Sequence, residues 1–401
     1  MKPIQNLVFI LILSFHTLNS QSLKTTFEDS TFVNLKNAYE IPEKIYKLKL
    51  THQHLNINNI NLSAFINLQQ LTLSYDSLLN LPEGLQNLKN LKVLDISGNN
   101  FKLLPEQLAL IPNLEELYLN NEKHLDLNQS FEIINKITHL KRLHLDSIPN
   151  FKLPKHLKLN SNIEYLSMRY NNLSLIPPQL RKFKLLKVLD LEGNKLKSIN
   201  RSFLKNKDIE SLVISVDPNF NFKKSFLILS KESNLSSLSL LNSSLSNFPE
   251  DLSYLSNISS LSLHNDNLNI FPTGILSMKN LKNLDLSGNN FTNLPSTFLA
   301  LNKLEKLNLS NDNYLNYSET ADLVKYLPSI KLIEVNNYDY IFQPEIYKDF
   351  KQSNNYIELF PKKTQNSNIH LFKFLKPANT TSTTIPFNNF NAEGFGIRLG
   401  W

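Results

Sequence analysis

The sequence predicts an α/β repeat solenoid, with a long parallel sheet on one side and short helices or extended segments on the other. Three observations carry this expectation. First, Leu281–Pro295 (LKNLDLSGNNFTNLP) has close copies at Leu91–Pro105 and Leu186–Asn200, so the chain echoes itself every 95 residues. Second, the pattern LxxLxLxxNxL recurs thirteen times, starting at Ile45, Leu68, Leu91, Leu114, Leu140, Ile163, Leu186, Ile209, Leu235, Ile258, Leu281, Leu304 and Ile330. The steps run 23, 23, 23 and 26, three times over, so a block of four repeats is copied in tandem. A fixed period of this length marks a stacked-repeat architecture. Third, the LxxLxL core alternates with period two, as a half-buried strand does.

Each strand follows from that alternation. In the clearest copy Leu284 and Leu286 point inward, while Asp285 and Ser287 point outward. Equivalent strands one repeat apart stack in parallel, each burying its leucines against the next copy. Thirteen strands spaced by ~4.8 Å make a sheet about 58 Å along its arc.

The phrase LPEGLQNLKNL and the thirteen phased copies resemble the leucine-rich repeat family, in its 23-residue Ras-group-like form, over Ile45–Tyr340. The resemblance implies a right-handed solenoid with a concave parallel sheet of about 13 strands and a convex side of short helices and extended segments. It also implies an asparagine ladder along one edge. Asn99, Asn171, Asn194 and Asn289 keep the ladder residue, and Asp76, Asp217, Asp266 and Asp312 replace it. A carboxylate accepts but cannot donate, so those turns are expected to be looser.

The returning halves come in two lengths. Seven repeats place a proline after an apolar residue, at Pro82, Pro105, Pro154, Pro177, Pro249, Pro272 and Pro295. Proline suits an extended segment or the first position of a short helix. The fourth, eighth and twelfth repeats lack it there, and Ser130–Thr138, Ser225–Glu232 and Glu319–Tyr326 are expected to be fuller helices.

Both ends differ from the middle. Residues 1–20 read as a signal peptide: Lys2, the apolar centre Leu7–Leu13, then Ser20 ahead of Gln21. The run is short of the ~20 residues that span a bilayer. The mature chain is therefore expected to be secreted or in the cell envelope, without a transmembrane segment; it would be cytoplasmic if this run were not a signal. Residues 21–44 are read as a helical cap, with Phe32, Leu35, Ala38 and Tyr39 at helical spacing. The repeat domain is placed at 45–350, closed by a helix at Pro344–Phe350, and 351–401 are read as a C-terminal cap and partly disordered tail. In that tail Phe395, Ile397, Leu399 and Trp401 alternate as a strand would. With no cysteine, the chain has no disulfide, thiolate nucleophile or cysteine-based metal site, and an exported chain of this kind looks bacterial.

Composition narrows the function. A net charge of +7 is spread along the chain, whereas nucleic-acid binding calls for a dense basic stripe. No nucleic-acid partner is expected. His52 and His54 alternate on one turn but lack a third ligand, so no metal is expected. Gly98, Gly193 and Gly288 are turn glycines; no GxxxxGK[ST] or GxGxxG phosphate loop occurs, and no cofactor is expected. The chain is read as a non-enzyme.

The outward rows of the strands are uneven. Repeats four to seven concentrate Tyr118, Arg142, His144, Asp146, Tyr165, Arg169, Tyr170, Asp190 and Glu192, whereas repeats nine to eleven carry mostly Ser and Asn. Tyr and Arg dominate interface energetics. The nine residues form the candidate concave-face site for a protein or peptide ligand, on a chain expected to be monomeric. The competing readings are an adhesin or envelope protein that binds host protein or glycan, and an enzyme regulator.

Overall fold

The computed structural model describes residues 30–157, 162–243, 245, 248–312, 314–335 and 358–361. The expected signal peptide, the expected helix at Pro344–Phe350 and the expected tail strand at Phe395–Trp401 lie outside the described residues.

All thirteen repeats form strands, and two more strands extend the sheet. The first half comprises β1 (Thr31–Phe32), β2 (Lys47–Lys49), β3 (Gln70–Thr72), β4 (Val93–Asp95), β5 (Glu116–Tyr118), β6 (Arg142–His144) and β7 (Tyr165–Ser167). The second comprises β8 (Val188–Leu196), β9 (Ser211–Val216), β10 (Ser237–Leu240), β11 (Ser260–Ser262), β12 (Asn283–Asp285), β13 (Lys306–Asn308), β14 (Leu332–Val335) and β15 (Glu358–Pro361). They form a single 15-stranded sheet in chain order. Every pairing is parallel, and the central leucines stay in register, as in Leu94↔Leu117, Leu117↔Leu143 and Leu143↔Leu166. This is the leucine-rich repeat solenoid that the pattern predicts. β1 is too short to show a period, and β15 has only Leu359 and Phe360 of the apolar phrase, which is why both escape a search for LxxLxL.

Behind the sheet the apolar residues join in one continuous core that includes Phe65, Phe101, Phe183, Phe203, Phe226, Phe291 and Phe298. Most returning halves are short 3-10 turns, several entered from a proline such as Pro105, Pro177, Pro272 or Pro295. Before the first repeat stands a short helix, α1 (Leu35–Glu40). The long repeats carry true helices: α2 (Leu127–Ile134), α3 (Phe222–Leu229) and α4 (Tyr317–Val324). Each begins two or three residues before the apolar pattern alone indicates. The cause is capping: Asp126, Asn221 and Asn316 accept backbone N–H groups at the first turn and fix the start.

The ladder is built as the resemblance implies. Asn99 Oδ1 accepts the N–H groups of Asp76 (3.1 Å) and Leu78 (3.0 Å), and its Nδ2 donates to the carbonyls of Leu73 (2.8 Å) and Ile96 (2.7 Å). Asn194 and Asn289 repeat this geometry. Asp266 performs half of it. One oxygen accepts the Ser243 N–H at 2.6 Å, while the other, in the place of the donating amide, is buried with no hydrogen-bond partner. Burial pushes Asp266 up to about 8 and Asp312 up to about 8. Glu122, a ladder residue that the pattern search passes over, receives the Asn99 N–H at 2.9 Å and is likewise raised by burial, to about 7.

Asp217 does not join the ladder. Repeats leave the sheet through an eighth residue in the left-handed region, such as Tyr75, Gly98, Asn121, Tyr170, Gly193 or Asn265. In the repeat that starts at Ile209 this position is Val216, and a β-branched side chain disfavours positive φ. The strand therefore runs on through Val216, and β8 pairs with β9 around a register irregularity between Leu191 and Leu196. Asp217 is displaced beyond the turn and accepts the Asn219 N–H at 2.9 Å instead.

Candidate functional site on the sheet face

Register brings the nine candidate residues onto one band of the sheet. The first outward row runs Glu116↔Arg142↔Tyr165, and the central row runs Tyr118↔His144↔Ser167↔Asp190. Asp146, Arg169 and Glu192 follow two residues beyond the central row.

The centre of the first half is Glu116, which the sequence reading did not include. One of its oxygens accepts from Tyr118 Oη (2.7 Å) and contacts His144 Nε2 (2.8 Å) and Arg142 Nε (2.9 Å). Burial opposes its charge, but the His144 hydrogen bond and Arg142 outweigh it and hold the carboxyl at about 2. An ionised carboxylate only accepts, so His144 carries its proton on Nε2. The Tyr118 ring stacks on His144 with centroids 3.8 Å apart, and the Arg142 guanidinium lies 4.3 Å from the Tyr165 ring centroid. Burial, followed by the charge of Glu116, drives the Tyr118 hydroxyl far up, so it stays a neutral donor. Glu116 was legible from register, since it faces Arg142 directly and opposite charges pair across strands.

The second half centres on Arg169. It pairs with Glu192, and its Nε lies 3.6 Å from Asp190. All three are buried. Burial pushes Asp190 up to about 7 against the pull of Arg169. Asp146 is raised by burial as well, although its Oδ1 accepts from the Ser167 hydroxyl (2.5 Å) and the Arg169 N–H (2.8 Å). Tyr170 lies over the turn: its hydroxyl donates to Glu192 (3.3 Å), and its ring occupies the space beside Gly193 where a Cβ would sit. Gly193, at φ +68°, therefore provides both the left-handed bend and the room for the ring.

The nine residues divide by exposure. Tyr118, Arg142, Asp146 and Tyr165 are half-buried and Tyr170 is exposed, so these reach solvent. His144, Arg169, Asp190 and Glu192 are buried supports beneath them. Four carboxylates (Glu116, Asp146, Asp190 and Glu192) meet two arginines, so the band is acid-rich in a chain of net positive charge.

The arrangement offers contact and charge, with little to activate a nucleophile. Ser167 bonds Asp146. Elsewhere His264 Nδ1 lies 2.7 Å from Ser287 Oγ, but the Ser287 hydroxyl bonds Asp285 at 2.6 Å. The carboxylate thus engages the hydroxyl and not the imidazole, the reverse of a triad, and Ser287 is buried. His52 stacks on Tyr75. Among the described residues no three His, Asp or Glu side chains come together as a metal site requires, and no helix is long and apolar enough to cross a membrane.

No protein-family model matches the chain, and no curated protein matches it. Solved structures are similar in fold. A leucine-rich repeat protein of Leptospira interrogans is 22% identical, with 82% of this chain and 99% of that one covered and a TM-score of 0.49. An internalin of Listeria monocytogenes is 18% identical, with 79% and 83% covered and a TM-score of 0.40. The mouse RP105/MD-1 complex gives 17% identity, 82% and 64% covered and a TM-score of 0.46.

Proposed function

We propose that the chain is an exported, non-catalytic binding scaffold that holds a protein or peptide on the β5–β8 band. The observation that carries this reading is the segregation of the outward rows. Tyr118, Arg142, Tyr165 and Tyr170 reach solvent over a buried, hydrogen-bonded floor of charge. Aromatic and arginine anchors on a pre-organised base are what interface hot spots consist of. The acid excess of the band favours a partner segment with basic and apolar side chains. Export rests on residues 1–20 as a signal peptide. The same reading has residues 21–44 cap the repeats, 45–350 as the binding unit, and 351–401 as a C-terminal cap and tail, with β15 in the cap, on a monomeric chain.

Affinity capture tests it, using the mature chain and a Tyr118→Ala/Arg142→Ala/Tyr170→Ala variant side by side. The expected result is a partner retained by the first and lost by the second, with both thermal midpoints within a few degrees. Equal retention by the variant would refute the assignment. Arg169 is left unchanged, because its removal would strand buried carboxylates and confuse binding with folding.

A further inference from the structure

The helical side of the second block carries a feature that its copies lack. Between α3 and the 3-10 turn Arg201–Lys205 lies a depression of about 440 Å³. Arg201, Lys223, Lys224 and Lys231 line it, together with Leu227 and Ile228. No acidic residue lines it, and among the described residues none of the four cations is in an ion pair.

The tandem copies supply an internal control. The same positions 95 residues earlier are Glu106, Asn128, Gln129, Glu132 and Lys136, where Lys136 pairs with Glu106 at 3.7 Å. In the third copy Ser296, Glu319, Asp322 and Tyr326 stand at four of them. The helix, its cap and the neighbouring turn are the same in all three copies. Relative to the first copy, glutamate has become Arg201, asparagine Lys223 and glutamine Lys224, while the acids Asp126 and Glu132 have become Asn221 and Leu227. Every change moves the charge in the positive direction. The fold requires none of them, since the other two copies build it without them. Clustered like charges with no internal partner repel one another, and an anion relieves that repulsion.

We propose that this depression binds a ligand bearing clustered phosphate or sulfate ester groups. Its volume suits a small polyanion rather than a second protein domain. Leu227 and Ile228 give the carbon skeleton an apolar surface, and the four cations face the esters. The site is separate from the sheet-face band and does not depend on it.

The test uses calorimetric titration of the mature chain with three probes: inorganic tripolyphosphate, a heparin-derived sulfated hexasaccharide and phosphatidylglycerol vesicles. Two variants exchange residues between copies, so each introduces side chains that this backbone already carries elsewhere. Arg201→Glu/Lys223→Asn/Lys224→Gln/Leu227→Glu gives the second copy the side chains of the first at these positions, and Glu106→Arg/Asn128→Lys/Gln129→Lys/Glu132→Leu gives the first those of the second. The wild type is expected to bind at least one probe, and the first variant to bind it about tenfold or more weakly, with the difference shrinking as salt is raised. The second variant is expected to gain a second equivalent of bound probe. The probe retained identifies the phosphate or sulfate group as free, on a sugar or on a lipid. No binding of any probe by the wild type would overturn the proposal, as would equal binding by the first variant with unchanged circular dichroism.

Discussion

Along β5–β8 the outward positions hold Glu116, Tyr118, Arg142, His144, Tyr165 and Asp190; along β10–β12 the same positions hold Ser237, Ser239, Ser260, Ser262, Asn283 and Asp285. The backbones are equivalent: parallel, in register and closed behind by leucines. In the second region the side chains largely serve their own turn, as Ser287 does with Asp285. In the first they cross between strands and form a floor of buried charge. The ladder does not follow this division. Asn171 and Asn194 in the chemically rich band and Asn289 in the plain one donate to it, whereas Glu122 in the first and Asp266 in the second supply a carboxyl in its place. Regularity of the outer face and regularity of the scaffold are therefore separate properties of a repeat.

The largest contrast is expected at equivalent positions of the sixth and tenth repeats. Arg169→Ala leaves Glu192 and Asp190 buried without their cation, and about 3–5 kcal/mol of stability should be lost. His264→Ala removes a contact to Ser287 and should cost about 1 kcal/mol or less. Denaturant midpoints measure both, and similar losses would erase the distinction between a charged floor and a self-contained turn.

The ladder gives the next effect. Asp266→Asn and Asp312→Asn supply the donor that an ionised carboxylate lacks and should each stabilise the chain above about pH 8 by about 1–3 kcal/mol. The sign with pH follows from the raised carboxyls. Their contribution is fully present below the ordinary aspartate value of 3.8, falls as pH rises, and is lost above about 8. Wild-type stability should therefore fall between about pH 4 and 8 from these two sites, and the double variant should flatten that slope. Asn194→Asp, beneath the candidate band, should reproduce the defect there.

Smaller effects separate binding from folding. Gly193→Ala and Gly288→Ala each place a Cβ on a left-handed residue, at about 1–2 kcal/mol. Only the first also displaces an aromatic ring, that of Tyr170. Loss of partner binding in the first variant alone is expected, with equal thermal shifts. Ser262→Ala, whose hydroxyl reaches Asp285 at 3.3 Å, should change stability by no more than about 0.5 kcal/mol and leave binding intact.

Much of the fold was legible because a period-two pattern repeated thirteen times leaves one register open. What escaped had local causes. Helix starts depended on the caps Asp126, Asn221 and Asn316, which lie outside the apolar pattern. The fate of Asp217 depended on Val216 refusing positive φ. At the candidate site, the rows and their aromatic enrichment could be read directly, but depth could not. Arg169 and Glu192 stand at outward positions and are nevertheless buried, because long side chains fold down on one another across neighbouring strands. Glu116 lies in the first outward row, where its cross-strand partner Arg142 is the sequence signal that points to it.

Hydroxyl-radical footprinting of the captured complex bears most directly on the central claim. Partner binding should protect Tyr118, Tyr165 and Tyr170 while the exposed Tyr314 and Tyr326 react as in the free chain. Protection of Tyr314 or Tyr326, with the β5–β8 tyrosines as reactive as before, would contradict it.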